Sequence, residues 1–204
     1  MLRGASRSAL AGLLLLIIGT SAGAQTSVGS ASGMEVTGRA RAPIGAVQFC
    51  RTHPGECRRR GTASAVKLDR HRWDELVAVN AHVNAAIAPV TDADLYGVEE
   101  VWTLPVDRGD CEDYVLLKRR LLIERGWPSG ALLVTVVFDE VGDGHAVLVA
   151  RTDRGELVLD NKVAAIRLWH ETAYRYVKRQ SSSDPKSWVA VADRRWHSTT
   201  SSLR

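Results

Sequence analysis

Residues 109–114 read Gly109-Asp110-Cys111-Glu112-Asp113-Tyr114, and the chain continues Val115-Leu116-Leu117-Lys118-Arg119-Arg120-Leu121-Leu122-Ile123-Glu124-Arg125-Gly126 before Trp127-Pro128. Asp110 suits an N-cap and Asp113 the first turn. Tyr114, Leu117 and Leu121 fall on one stripe, with Val115 and Leu122 beside it, and Gly126 followed by Pro128 ends the run. The pattern predicts a helix with Cys111 in its first turn. There, unpaired backbone amides and the positive end of the macrodipole favour thiolate over thiol. The same amides suit an oxyanion formed when a thiolate attacks a carbonyl. The alternative is an inert, buried small hydrophobe.

Downstream of this helix, residues 131–138, 145–151, 156–161, 174–178 and 188–191 are β-rich. Tight turns such as Thr152-Asp153-Arg154-Gly155 imply antiparallel pairing. Helices first and strands afterwards argue an α+β domain. His145 opens the strand His-Ala-Val-Leu-Val-Ala directly after Gly142-Asp143-Gly144, at a position where a core residue would be aliphatic. If Thr152 faces Gly155, paired residue numbers add to 307. Asp160 is then the diagonal neighbour of His145 on one face, about 7 to 8 Å away at the backbone. A carboxylate there can orient the imidazole. A slip of one residue would move Asp160 to the opposite face and leave Asn161 as the orienting group.

Upstream, Trp73, Leu76, Val77, Val83 and Ile87 recur at helical spacing over residues 69–88, with Asp69 as cap and Pro89 as stop. Asn80 and Asn84 interrupt the apolar face, either to touch the site or to cap buried carbonyls. Asp107, Asp110, Glu112 and Asp113 lie within seven residues, a density of hard oxygen ligands that suits Ca²⁺, although no EF-hand spacing is present. Capping of the helix is the competing reading. Asp110 and Glu112 would also raise the pKa of Cys111, so something positive should offset them.

The chain has 204 residues, 45% hydrophobic and 25% charged, which supports one domain with an ordinary core. Residues 1–24 read as a signal peptide, with Arg3 and Arg7 ahead of the apolar run 9–18 and small residues at Ala22-Gly23-Ala24. That run is too short to span a bilayer, so the mature protein is not expected to be membrane-embedded. A flexible leader is expected over 25–45, the domain over 46–196 and a frayed tail over 197–204. The net charge of +4 shrinks once Arg3 and Arg7 are removed, which argues against nucleic acid as a partner. The basic clusters Arg58-Arg59-Arg60 and Lys118-Arg119-Arg120 read as solvated faces. Cys50 and Cys57 enclose six residues that a disulfide could close in an oxidising compartment; zinc with His53 is the alternative, but it lacks a fourth ligand.

Taken in order, Gly109 to Tyr114, Gly144-His145-Ala146-Val147-Leu148 and Val158-Leu159-Asp160-Asn161 resemble the bacterial transglutaminase-like cysteine proteinases. The resemblance extends through Val79-Asn80-Ala81-His82-Val83-Asn84, Tyr96-Gly97 and Val101-Trp102-Thr103-Leu104-Pro105 to Trp188. It implies a papain/transglutaminase-like fold with Cys111 as nucleophile, His145 as general base and acid, and Asp160 as orienting residue. The best-understood members are calcium-dependent periplasmic proteases that cut surface adhesins under control of an inner-membrane receptor. That implies Asp110 and Glu112 as calcium ligands, a protein substrate such as an adhesin, and an exported, periplasmic enzyme. The Cys50 to Cys57 segment departs from those members. The amide of Cys111 would supply one oxyanion donor, and Trp102 or Asn80 a second. Two alternatives share these residues: acyl transfer to an amine on the same triad, and a non-catalytic periplasmic binding module.

Overall fold

In the computed structural model, which describes residues 33–195 together with Met1, strand β1 (Val36–Ala40) leads into helix α1 (Ile44–Thr52), helix α2 (Arg70–Ala86), the two-residue strand β2 (Ala88–Pro89), the short helix α3 (Asp92–Tyr96), the two-residue strand β3 (Arg108–Gly109) and helix α4 (Cys111–Glu124). Six strands follow: β4 (Leu132–Phe138), β5 (Gly144–Thr152), β6 (Gly155–Leu159), β7 (Arg167–Leu168), β8 (Arg175–Gln180) and β9 (Trp188–Val191). Met1 apart, the expected signal segment 1–24 lies outside the described residues, as do the expected leader up to residue 32 and the tail 197–204.

The large sheet runs β1-β9-β8-β4-β5-β6-β7, antiparallel throughout. Strand alternation divides its apolar residues between two faces. Leu132, Val134, Ala146, Leu148, Leu157 and Leu159 pack with Leu76, Val79 and Val83 of α2 and Val115 and Leu122 of α4. Val137, Val147, Val149, Val158 and Tyr176 form a second cluster on the other side. The fold is α+β, with helix α4, which begins at Cys111, laid on an antiparallel sheet.

The hairpin register is the one the turn implies, from Thr152 opposite Gly155 to Leu148 opposite Leu159. Asp69 caps α2 by accepting the Arg72 amide at 2.8 Å. Asn80 and Asn84 serve carbonyls, donating to Ala164 O at 3.0 Å and Asp160 O at 2.8 Å. A disulfide joins Cys50 and Cys57, whose Cα atoms are 5.5 Å apart.

Two expectations are corrected. Residues 36–45 are not all flexible leader, because β1 pairs with β9 and Ile44 begins α1. Val36 to Arg39 are exposed, so this edge strand is held by backbone pairing rather than by the apolar alternation a sequence reveals. The Lys118-Arg119-Arg120 cluster is not a solvated face either: Lys118 and Arg119 are buried. Arg119 donates to Leu132 O and Glu56 O, both at 3.0 Å, and Arg120 pairs with Glu56 at 2.8 Å. The charges thus pin the disulfide loop to α4.

The parallel pair β2 and β3 sets Pro89 opposite Gly109. The Val90 amide donates to Gly109 O at 3.0 Å and the Ala88 amide to Asp107 O at 2.8 Å. This clamp ties the end of α2 to the start of α4. Among the described residues, no helix is long and apolar enough to cross a membrane.

Candidate active site

Cys111 is the first residue of α4, and Asp110 holds the extended N-cap conformation before it. Asp110 caps with its backbone alone. Its side chain makes no capping bond and instead accepts the Asp92 amide at 3.3 Å. The thiol donates to Glu112 Oε2 at 3.2 Å, and the amide of Ala146, next to His145, bonds to the sulfur.

His145 opens β5, opposite Val137, and is 3% exposed. Its Nε2 lies 2.9 Å from Asp160 Oδ1 in a buried pair. Asp160 Oδ1 also accepts the Lys162 amide at 3.0 Å, while Oδ2 accepts a short hydrogen bond from the Tyr174 hydroxyl. The Tyr174 ring stands edge-on to His145, centroids 5.5 Å apart, which limits rotation of the imidazole. With Nε2 engaged, Nδ1 is the ring nitrogen left to act elsewhere. Asp139 organises the turn ahead of His145 by accepting the amides of Val141 and Asp143 and the Lys162 ammonium, the last at 2.8 Å.

Cys111 and His145 line one cleft of about 430 Å³ with Ile44, Trp102, Gly144 and Ala146, among other residues. Trp102 is a buried wall residue, edge-on to Trp188 at 6.2 Å.

Several electrostatic effects meet here. Burial, and after it the Glu112 carboxylate, push the Cys111 thiol up. Burial and then Asp110 raise Glu112 to about 8. Asp113 is raised to about 7, mainly by burial. Asp160 goes the other way: burial raises it, but hydrogen bonds from His145 and Tyr174 outweigh this and leave it below its ordinary value. The site therefore holds an ionised carboxylate behind the histidine, and acids beside the cysteine that oppose a thiolate.

Those acids form a cluster, but not the one that spacing suggested. Asp92, Asp110 and Asp113 each bring one carboxylate oxygen within 4.8 Å of the others. Asp92 Oδ1, Asp110 Oδ1 and Asp113 Oδ2 are buried without a hydrogen-bond partner. The other oxygens of Asp92 and Asp113 are taken by the Val101 and Thr103 amides. Three orphaned, inward carboxylate oxygens fit a hard divalent cation such as Ca²⁺. A Cβ on Gly109 would lie 2.4 Å from Asp113 Oδ2, so glycine keeps this cradle open. Glu112, expected as a ligand, accepts the thiol at Oε2 and also hydrogen-bonds with Asp110 of the cluster. Asp107 is an exposed partner of Arg108. Spacing along the chain does not reveal Asp92, which arrives from α3 through the β2–β3 clamp. Asp113 carried a readable signal, since cap and third helical position share a face while the second does not.

A cysteine at a helix start, sharing a cleft with a strand-borne histidine that is backed by a buried aspartate, places this fold in the papain/transglutaminase-like class of thiol enzymes. The comparisons with known proteins agree. The chain belongs to the bacterial transglutaminase-like cysteine proteinase family (BTLCP), whose model matches residues 36–196, and with it to the cysteine peptidases. No match was found among curated proteins.

Solved structures of Legionella pneumophila LapG are similar. The calcium-bound form is 19% identical, with a TM-score of 0.50 over 73% of this chain and 88% of that one. The EGTA-treated form is 23% identical, with a TM-score of 0.50 over 60% and 68%. A further LapG structure is 25% identical with a TM-score of 0.47, covering 54% of this chain and 64% of that one, so the present chain spans less than two thirds of its length.

Proposed function

We propose that this protein is an exported, calcium-dependent cysteine endopeptidase that hydrolyses a protein substrate through Cys111, His145 and Asp160. The observation that carries the reading is the buried 2.9 Å bond from His145 Nε2 to Asp160 Oδ1, beside a cysteine at the start of α4. The Cys111 thiolate attacks the peptide carbonyl, assisted by the free Nδ1 of His145 as base. His145 then protonates the leaving amine, and water hydrolyses the acyl-enzyme with His145 again as base. The amide of Cys111 is one oxyanion donor and the Trp102 indole, in the cleft wall, is the second. Asp160 keeps the ring aimed and compensates the imidazolium.

Asp92, Asp110 and Asp113 are the residues that would hold Ca²⁺. When bound, the ion would neutralise acids next to the nucleophile and stiffen the start of α4, which favours the thiolate. The Cys50–Cys57 disulfide supports an oxidising compartment such as the periplasm. The family resemblance supports a surface adhesin as substrate and an inner-membrane receptor as regulator.

The test is cleavage of a proteome-derived peptide library in calcium, read by mass spectrometry. New peptide ends are expected from the wild type and none from Cys111→Ala or His145→Ala. Ends that persist in Cys111→Ala refute the assignment, and a labelled amine captured in place of water assigns acyl transfer instead.

A further inference from the structure

Lys118 is wholly buried, at 0% exposure, yet its Nζ makes no hydrogen bond to protein. A lone buried ammonium is costly, and it persists only where charge or function compensates it. Its position follows from how α2 and α4 lie together. At one end the Tyr114 hydroxyl donates to Ile87 O, and at the other the Trp127 indole donates to Glu75 at 2.8 Å. The helices are therefore antiparallel. Lys118, one turn past Tyr114, comes opposite the turn before Ile87, which presents Asn84 and Asn80.

Each of these asparagines donates one amide hydrogen, Asn80 to the carbonyl of Ala164 and Asn84 to that of Asp160, and their Oδ1 atoms are buried without partners. On α4, Lys118 Nζ lies 5.8 Å from the Tyr114 ring centroid, a second source of weak cation stabilisation. Around Lys118 stand Tyr114 on its own helix and, electrostatically, Asp160 just past β6, whose carbonyl is held by Asn84 on the neighbouring turn of α2. Burial lowers Lys118 to about 7, and the one charge that pulls it back up is Asp160.

We propose that Lys118 is a positioning residue for the reaction, its ammonium enclosed behind Asp160 with the amide oxygens of Asn80 and Asn84 so that the carboxylate stays ionised and aimed at His145. This rests on the thiol-peptidase reading above. The physical need is clear in the resting site. While His145 is neutral, Asp160 is a buried anion whose hydrogen bonds all come from neutral donors, the His145 Nε2–H, the Tyr174 hydroxyl and the Lys162 amide; the Lys162 ammonium that also acts on it is half exposed, so a buried cation behind it compensates the charge.

A double-mutant cycle tests it. The probe is p-nitrophenyl acetate in calcium at about pH 6.5, where most of Lys118 is charged. Lys118→Met is expected to lower kcat about tenfold with KM changed less than about twofold. In an Asp160→Asn background the same substitution should change kcat by less than about twofold. Lys118→Gln, which keeps polarity without charge, should fall like Lys118→Met, and it carries the test if the methionine variant does not melt cooperatively. Wild-type kcat in Lys118→Met or Lys118→Gln overturns the proposal, as does an equal loss with and without Asp160. Turnover that survives Cys111→Ala refutes the thiol reading and the Lys118 role with it, whereas Cys111-dependent turnover indifferent to Lys118 refutes only the latter.

Discussion

Replacing Asp92 by asparagine should move thermal stability in opposite directions with and without calcium. Asp92, Asp110 and Asp113 hold one carboxylate oxygen each within 4.8 Å of the others. Two unit charges at that separation repel by about 3.5 kcal/mol at an effective dielectric of about 20. Burial already favours a proton on Asp113, raised to about 7, so only part of this repulsion is felt near neutral pH. The Val101 amide, which donates to Asp92 Oδ2, finds an equivalent acceptor in an asparagine carbonyl. In EGTA, Asp92→Asn is therefore expected to stabilise by about 1 to 2 kcal/mol, a rise in Tm of roughly 3 to 6 °C for a domain of this size. In calcium the sign reverses. A ligand at about 100 times its Kd adds about 2.7 kcal/mol to the wild type, or roughly 5 to 10 °C, most of which the variant forfeits. Scanning fluorimetry of both proteins in calcium chloride and in EGTA reads all four values. The reasoning fails if the wild type does not respond to calcium or if Asp92→Asn melts lower in EGTA.

Three further outcomes follow from the same structure. Lys118 sits at about 7 when folded against an ordinary 10.5, so between those values the unfolded chain binds more protons and stability from this group rises with pH. Measured by urea unfolding, wild type should be weakest relative to Lys118→Met below about pH 7 and regain about 1.4 kcal/mol per unit above it; a flat difference would contradict the burial argument. Gly109→Ala places a Cβ 2.4 Å from Asp113 Oδ2 and should weaken calcium binding at least about tenfold by calorimetry, with unaltered affinity counting against the cradle. Reducing the bridge between Cys50 and Cys57, seven positions apart, should cost about 2.5 kcal/mol and lower Tm by roughly 5 to 10 °C, and an unchanged Tm would show that the Glu56 contacts suffice alone.

Much of the site is local, which is why it could be read before any fold was known. The start of α4 depends on a cap, a stripe and a Gly-Pro stop within one short stretch, and these place Cys111 at the helix entrance. The two-residue turn between Thr152 and Gly155 sets the β5–β6 register, and that register brings Asp160 to His145. Elements held by backbone pairing alone, β1 and the β2–β3 clamp, left no apolar rhythm to detect. The short helix α3 was silent for want of length.

By itself, then, the sequence determined the class of fold, the order of α2, α4 and the longer strands after them, and the cysteine and histidine of the cleft with the aspartate behind the histidine, because hydrophobic period and turn chemistry act over a few residues. Only the tertiary structure decided which acids share a cavity. Asp92 and Asp110 are eighteen positions apart and meet because Pro89 pairs with Gly109. Adjacent helical residues point in different directions, so Asp113 enters the cluster while its neighbour Glu112 sits between the thiol and Asp110. The same holds for Lys118. A run of basic residues on a helix reads as a wet surface until packing seals one face of it, and which face is sealed depends on α2, the sheet and the disulfide loop together.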